Sequence, residues 1–134
     1  MTTPLFYIVI PTYNRARQVV AAVKSALWQT DADFECLVVD DGSRDDTQVR
    51  LEQIKDPRLK CAFNNVNKGQ HASRNQAIRS AKGEWIAFLD NDDLFLPGRL
   101  AAVRATIAGR PSVGFWFTNA YIHRYDRIIC TLFD

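Results

Sequence analysis

Four short polar clusters carry the residue types that chemistry needs: PTYNR at Pro11–Arg15, DDGS at Asp40–Ser43, NKGQHASRN at Asn67–Asn75 and DNDD at Asp90–Asp93. The last is the most demanding. With Leu89 before it, it places three carboxylates within four positions at the end of the apolar run Trp85–Phe88, and like charges so close repel one another unless a cation binds among them. A carboxylate, a spacer and a second carboxylate offer hard oxygen ligands to Mg²⁺ or Mn²⁺, which takes one or two carboxylates and completes its shell with substrate phosphates and water. The competing reading is a solvated acidic turn in which Asp93 caps the next helix.

Asp40 and Asp41 sit at the end of an apolar run, where side chains alternate, so only one of them faces a crevice fully. A carboxylate there accepts bonds from ribose hydroxyls or from the N–H of a pyrimidine-like base. Equally, Asp, Gly and Ser are the ordinary residues of turns and helix caps. His71, Arg74 and Asn75 fall at i, i+3 and i+4 and share one helix face near its positive amino end. With Lys68 in the preceding turn, that face suits phosphate or a base, while Arg74 alone suits a surface ion pair just as well. His71 lacks a base or nucleophile partner and is assigned no catalytic role. Tyr13 is either a platform on which a nucleobase stacks or an exposed loop tyrosine. No Gly-rich phosphate loop of the Walker or dinucleotide type is present, which argues against an ATPase or an NAD enzyme. No serine, histidine and acid arrangement points to hydrolysis.

The elements that must position these clusters follow from the apolar pattern. Leu5–Ile10 is a continuous apolar run ended by Pro11 and Asn14, the mark of a strand covered on both faces. Val19, Val20, Val23 and Leu27 recur at helical spacing, which predicts an amphipathic helix over Arg15–Trp28 capped by Asn14. Strands are expected at Phe34–Val39, Leu59–Phe63 and Glu84–Leu89, with helices over Asp45–Ile54, capped by Ser43, and over Gln70–Ala81, closed by Gly83. Pro97 suits the first turn of a further helix that runs to Gly109, and Val113–Thr118 and Tyr121–Ile129 read as two more strands. Strands separated by helices imply right-handed crossovers and a mainly parallel sheet, so the fold class is α/β. In such sheets ligands bind beyond the carboxyl ends of the strands, where all four clusters fall.

At 134 residues, 47% apolar and 24% charged, the chain is of the size and composition of one globular domain. Seventeen basic against fifteen acidic residues, scattered and netting +2, form no nucleic-acid arm or polybasic anchor. Cys36, Cys61 and Cys130 are far apart, with no zinc-ligand spacing, and read as reduced thiols in a cytosolic setting that pack as small hydrophobes. The apolar core Leu5–Ile10 is too short for a signal peptide or membrane span. The apolar ending at Thr131–Asp134 predicts a domain that continues past it.

Taken together, IVIPTYNR at Ile8–Arg15, LVVDDGSRDDT at Leu37–Thr47, NKGQHASRNQAI at Asn67–Ile78 and GEWIAFLDNDDLFLP at Gly83–Pro97 resemble, in order and spacing, the family 2 glycosyltransferases of the GT-A fold. The resemblance covers about the first hundred residues. It implies a GT-A, Rossmann-like domain, incomplete at its carboxyl end, with a nucleotide-diphospho-sugar site. In similar enzymes the PTYN segment and an Asp of DDGS hold base and ribose, which here implies Pro11, Tyr13 and Asp41, with Asp40 beside them. Lys68 joins the substrate-binding set, and the ASRN arginine, Arg74, is implied near the base or diphosphate. The acid-x-acid motif implies Asp92 as direct ligand of Mn²⁺ or Mg²⁺, with Asp90 supporting ribose or metal.

The implied reaction is inverting transfer of a hexosyl or N-acetylhexosaminyl group, most commonly from a UDP-sugar, to a saccharide or lipid-linked acceptor in polysaccharide or glycolipid synthesis of the cell envelope. The implied setting is the cytoplasm, or the cytoplasmic face of a membrane reached through parts beyond this stretch, with no nucleic-acid partner. The general base of such enzymes is an acid in a later Glu-Asp type segment. Nothing after Asn119 matches it, and Asp126 and Asp134 lack that context, so the base is expected beyond Asp134. Two other classes stay open on the sequence: a non-catalytic nucleotide-sugar-binding module, and a nucleotidyltransferase, which would share the acidic metal site but normally carries a basic phosphate loop near its amino terminus.

Overall fold

The computed structural model describes residues 3–124 and 127–131, with side chains through Ile122. The chain divides into two compact units at residues 102 and 103. In the first, strands β1 (Phe6–Thr12), β2 (Phe34–Asp40), β3 (Leu59–Phe63) and β4 (Trp85–Phe88) form one sheet in the order β3-β2-β1-β4, every pair parallel. Helices α1 (Ala16–Leu27), α2 (Thr47–Glu52) and α3 (Gln70–Ser80) link them, and α4 (Arg99–Gly109) follows β4. This is the mainly parallel, helix-flanked sheet that the apolar runs predict.

All seven residues of β1 are buried, which is why its sequence is apolar without alternation. On one face Tyr7, Val9, Leu37 and Val39 pack with Ala77 of α3, and Ile86 and Ala62 lean on the same cluster. The opposite side of β1 and β2 meets α1, whose Val19, Ala22, Val23 and Ala26 are buried at helical spacing. Each fully buried valine or isoleucine here contributes about 1.5–3 kcal/mol relative to exposure. Cys36 belongs to this core and burial pushes its thiol up, while Cys61, half-buried, is pushed up to about 11, chiefly by burial. Both are inert packing thiols; the Cys130 side chain lies outside the described residues.

Several local expectations change. Asn14 does not cap α1: it takes a left-handed φ of 50°, and its side-chain oxygen accepts from Arg44 N–H at 2.7 Å. The first helical donor, Ala16 N–H, goes instead to Asp45 Oδ2 at 3.2 Å. Ser43 does not cap α2, because its hydroxyl donates back to Asp40; α2 starts only at Thr47, whose N–H reaches Asp45 Oδ1 at 3.0 Å. Gly83 serves close approach rather than helix closure. A Cβ there would stand 2.9 Å from the backbone of Phe6 and Tyr7, where the chain enters β4 alongside β1. Helix α4 begins at Arg99 rather than Pro97, whose carbonyl accepts from Thr30 N–H at 2.9 Å.

In the second unit Val113–Thr118 forms no strand. The stretch read as one strand over Tyr121–Ile129 is an antiparallel hairpin of β5 (Tyr121–Arg124) and β6 (Arg127–Thr131), with a register shift at Ile122 and His123. Asp126 and Asp134 lie outside the described residues.

Candidate donor-binding site

Parallel strands that start in register end together, so the loops after β1, β2 and β4 and the turn into α3 converge at one end of the sheet. They enclose a cleft of about 390 Å³. Pro11, Thr12, Tyr13 and Arg15 line it from β1 and its loop, Asp41 from the end of β2, and Asn91 and Asp92 from the loop after β4. Asn67, Gly69, Gln70 and Ser73 close the remaining wall from the turn into α3.

Of the two neighbouring acids after β2, Asp41 faces the cleft while Asp40 turns away from it. Asp40 Oδ1 accepts from Ser43 N–H at 3.1 Å and from the Ser43 hydroxyl, which locks the DDGS turn. That turn needs Gly42: its φ is +79°, and a Cβ would meet the Val66 carbonyl carbon at 3.0 Å. Asp41 is 3% exposed. Its oxygens accept from Lys68 N–H at 3.0 and 3.1 Å, from Gly69 N–H at 2.7 Å and from the Asn64 amide at 3.3 Å. Burial alone would raise its pKa, but these bonds, with the Ser73 hydroxyl beside them, outweigh it and hold the carboxyl below its ordinary value. Asp41 therefore anchors the NKG turn as well as facing the cleft. Lys68 contributes its backbone N–H to that anchor, and its side chain is not part of the cleft wall.

The acids after β4 are different. Asp92 is exposed, lines the cleft and has no ion-pair partner among the described residues. Asn91 fixes the loop by donating to Pro11 O at 3.0 Å. Asp93 does not cap α4. Although it reaches solvent, partial withdrawal of its carboxyl from water and then the charges of Asp92 and Asp90 raise its pKa. Asp90 is engaged by Arg74 in an ion pair, and neither is among the cleft-lining residues. His71 and Asn75 point to solvent.

Whether a divalent cation suits this end of the sheet is decided by the donors. Among the described residues no three acids, histidines or cysteines converge into a cage. What is present is one free carboxylate, Asp92, on the wall of a cleft large enough for substrate phosphates, beside a second exposed acid, Asp93. That fits Mg²⁺ or Mn²⁺, which binds through one or two carboxylates and takes its other ligands from phosphate and water.

Pro11, Tyr13, Asp41 and Asp92 are thus brought together as their motifs suggested, and Tyr13 keeps 40% of its surface open at the mouth. Residue-level reasoning missed Thr12, Arg15, Asn67, Gln70, Ser73 and Asn91 as wall residues. All six lie within or beside the four clusters, so the signal was the motif's span rather than its acids and aromatics.

Known proteins are similar to this chain in sequence and fold. A family model described as glycosyl transferase family 2 matches residues 7–126. The chain is 38% identical over 130 residues to UDP-Glc:alpha-D-GlcNAc-diphosphoundecaprenol beta-1,3-glucosyltransferase WfaP of Escherichia coli, covering 97% of this chain and 51% of that protein. It is 42% identical over 103 residues to succinoglycan biosynthesis protein ExoO of Rhizobium meliloti, covering 75% and 30%. Among solved structures, S. aureus TarS in complex with UDP-GlcNAc superposes with a TM-score of 0.72 at 30% identity, over 79% of this chain and 32% of that one. The mannosyltransferase PcManGT from Pyrobaculum calidifontis, in complex with GDP-Man and Mn²⁺, gives a TM-score of 0.72 at 25% identity over 84% and 34%. The chain spans about half the length of WfaP and less of the others. Its sheet is the GT-A, Rossmann-like one of these neighbours, and the chain belongs to glycosyl transferase family 2.

Proposed function

We propose that this chain forms the donor-binding part of an inverting, metal-dependent glycosyltransferase that moves a sugar from a UDP-sugar to an acceptor hydroxyl in polysaccharide or glycolipid synthesis. The observation that carries the proposal is the convergence of Tyr13, Asp41 and Asp92 on one cleft at the carboxyl ends of β1, β2 and β4. Tyr13 stacks on the base, and Pro11 with the anchored Asp41 fixes the base and ribose end. Arg74 sets the wall of α3 behind the nucleotide, and Asp92 is the protein's ligand for Mn²⁺ or Mg²⁺. Support for UDP comes from the UDP-Glc donor for which WfaP is named and the UDP-GlcNAc bound to TarS, with the GDP-Man bound to PcManGT as the competing choice.

When bound, the metal supplies charge stabilisation for the departing diphosphate. The acceptor oxygen attacks the anomeric carbon on the face opposite the nucleotide, its bond forms as the bond to the diphosphate oxygen breaks, and the hydroxyl proton passes to a general base. The family resemblance implies that this base is an acid of a later Glu-Asp type segment, which nothing after Asn119 matches. The acceptor is a saccharide or a lipid-linked one, used in the cytoplasm or at the cytoplasmic face of a membrane; among the described residues no helix is long and apolar enough to cross one.

Calorimetric titration of UDP with and without Mn²⁺ tests the core of this reading. The expected result is binding strengthened by Mn²⁺ in the wild type and an enhancement lost in Asp92→Ala. Binding that is indifferent to both would remove the metal assignment. A thermal-shift screen of UDP, GDP and dTDP identifies the base, since the ligand bound best by the native state raises its melting temperature most at matched concentration.

A further inference from the structure

The loop that carries Asp92 is held from behind by a helix that takes no part in the cleft wall there. Gln29, just past the end of α1, is 7% exposed, and a buried amide must find partners. It finds them in the segment that leads from Asp92 into α4. Gln29 Nε2 donates to Ser25 O at 3.1 Å and to Leu96 O at 2.8 Å, and Gln29 Oε1 accepts from Leu100 N–H at 3.0 Å. Leu100 is the second residue of α4, where a backbone N–H has no partner within its own helix, so Gln29 supplies one from across the fold. Two neighbours repeat the tie. Ser25 Oγ accepts from Phe95 N–H at 3.0 Å, and Pro97 O accepts from Thr30 N–H at 2.9 Å.

Asp92 lies between this clasp and a second anchor, the Asn91 amide on Pro11 O at 3.0 Å. Only Asp92, Asp93 and Leu94 separate Asn91 from Phe95, a span so short that a shift at either end carries Asp92 with it. Neither Gln29 nor Ser25 lines the cleft. Their influence on it passes through the backbone from Phe95 to Asp92. A metal that draws a single carboxylate from this loop is sensitive to where that carboxylate stands, because ligand geometry and the groups that orient a ligand set metal affinity.

Resting on the donor-site reading above, we propose that Gln29 is a positioning residue that sets Mn²⁺ affinity from outside the cleft, by clasping the loop that carries Asp92. Gln29→Met on the full chain tests it, since methionine keeps the length of the side chain and removes all three hydrogen bonds. Mn²⁺ is titrated into UDP-saturated protein and followed by the EPR signal of the free ion, corrected for UDP alone. UDP is titrated separately by calorimetry in the presence of a chelator. Gln29→Met should weaken Mn²⁺ roughly tenfold, the loss typical when a group that orients a metal ligand is removed. It should leave metal-free UDP binding within about twofold of wild type, because Tyr13 and Asp41 are untouched. In the ligand-free chain, amide exchange should quicken at Asp92, Asp93 and Leu94 and stay slow beside Asp41.

Two further variants separate positioning from general weakening. Leu51→Ala, in the buried face of α2, loosens the core without touching the loop and should keep Mn²⁺ affinity within about twofold of wild type. Ser25→Ala, which removes the acceptor for Phe95 N–H, should weaken Mn²⁺ about threefold, and it decides the matter if Gln29→Met does not fold. Unchanged Mn²⁺ affinity in Gln29→Met, or in Ser25→Ala where that variant decides, or an equal loss in Leu51→Ala, would overturn this inference while leaving the donor site standing. A wild-type chain whose UDP binding ignores Mn²⁺ would overturn the metal assignment and this inference with it.

Discussion

The two acidic clusters at the carboxyl end of the sheet stand one strand apart and are built on opposite principles. Asp40 and Asp41, after β2, are each 3% exposed and filled with the protein's own donors, Ser43 for one and Lys68, Gly69 and Asn64 for the other. Asp92 and Asp93, after β4, are exposed and form no ion pair among the described residues, and partial burial, then the charges of Asp92 and Asp90, raise the pKa of Asp93. The first cluster spends its charge on shaping loops and is finished when the chain folds. The second keeps charge in hand for something that arrives later. Sequence composition alone does not separate them, since both are runs of aspartate after an apolar strand; only the donors around each one do.

The contrast can be broken most sharply at Asp41. Asp41→Ala should cost about 2–4 kcal/mol of folding stability, because it orphans the Lys68 and Gly69 N–H groups in a buried setting. Denaturant unfolding measures this, and a loss as small as that of a surface change would show that Asp41 is not the anchor described. Next in size is Gly42→Ala, expected to cost about 1–3 kcal/mol for a left-handed φ and a backbone contact at 3.0 Å, read in the same assay.

The pH dependence of stability should separate the clusters by sign. The folded pKa of Asp41 is lowered, so its contribution is complete above the unfolded carboxylate value of about 3.9 and is lost as pH falls through the folded pKa. The folded pKa of Asp93 is raised, so its benefit is present below the unfolded value and is lost as pH rises through the folded pKa. In melting curves from neutral to acid pH, Asp41→Asn should flatten the loss in acid, whereas Asp93→Asn should steepen it slightly. At neutral pH Asp93→Asn should shift stability by no more than about 0.5 kcal/mol, toward greater stability, as an exposed site relieved of repulsion does. A destabilising shift at that position would mean that its charge is already compensated.

The buried strands were legible because an unbroken apolar run such as that of β1 permits only burial on both faces. Helix α1 was legible for its apolar spacing, and α3 for the turn residues before it and Gly83 after it. The caps were not: Asn14 and Ser43 are good capping types, yet the Asn14 side chain accepts from Arg44 N–H, 30 positions away, and the Ser43 hydroxyl donates to Asp40 while accepting from Asn14 N–H, 29 positions away; no local pattern registers those cross-loop bonds. Val113–Thr118 reads as a strand by composition, but a strand exists only if another pairs with it, and Phe115 and Phe117 stand 76% and 72% exposed. At the site, the acids and Tyr13 stood out by type. The commitment of Asp90 to Arg74 did not, because it joins positions 16 residues apart through the fold.

Asp45 accepts from Ala16 N–H with one oxygen and from Thr47 N–H and Oγ1 with the other, and Asn14 is tied to Ser43 and Arg44 close by. The loops after β1 and β2 are thereby fastened at several points and respond to force as one body. The NKG turn is tied to the same body through Asp41, so any widening that admits a nucleotide falls to the loop bearing Asp92, which Asn91 holds to Pro11. The rates of entry and escape accordingly belong to that loop, and amide hydrogens around Asn14 and Asp45 should exchange slowly even while the cleft breathes.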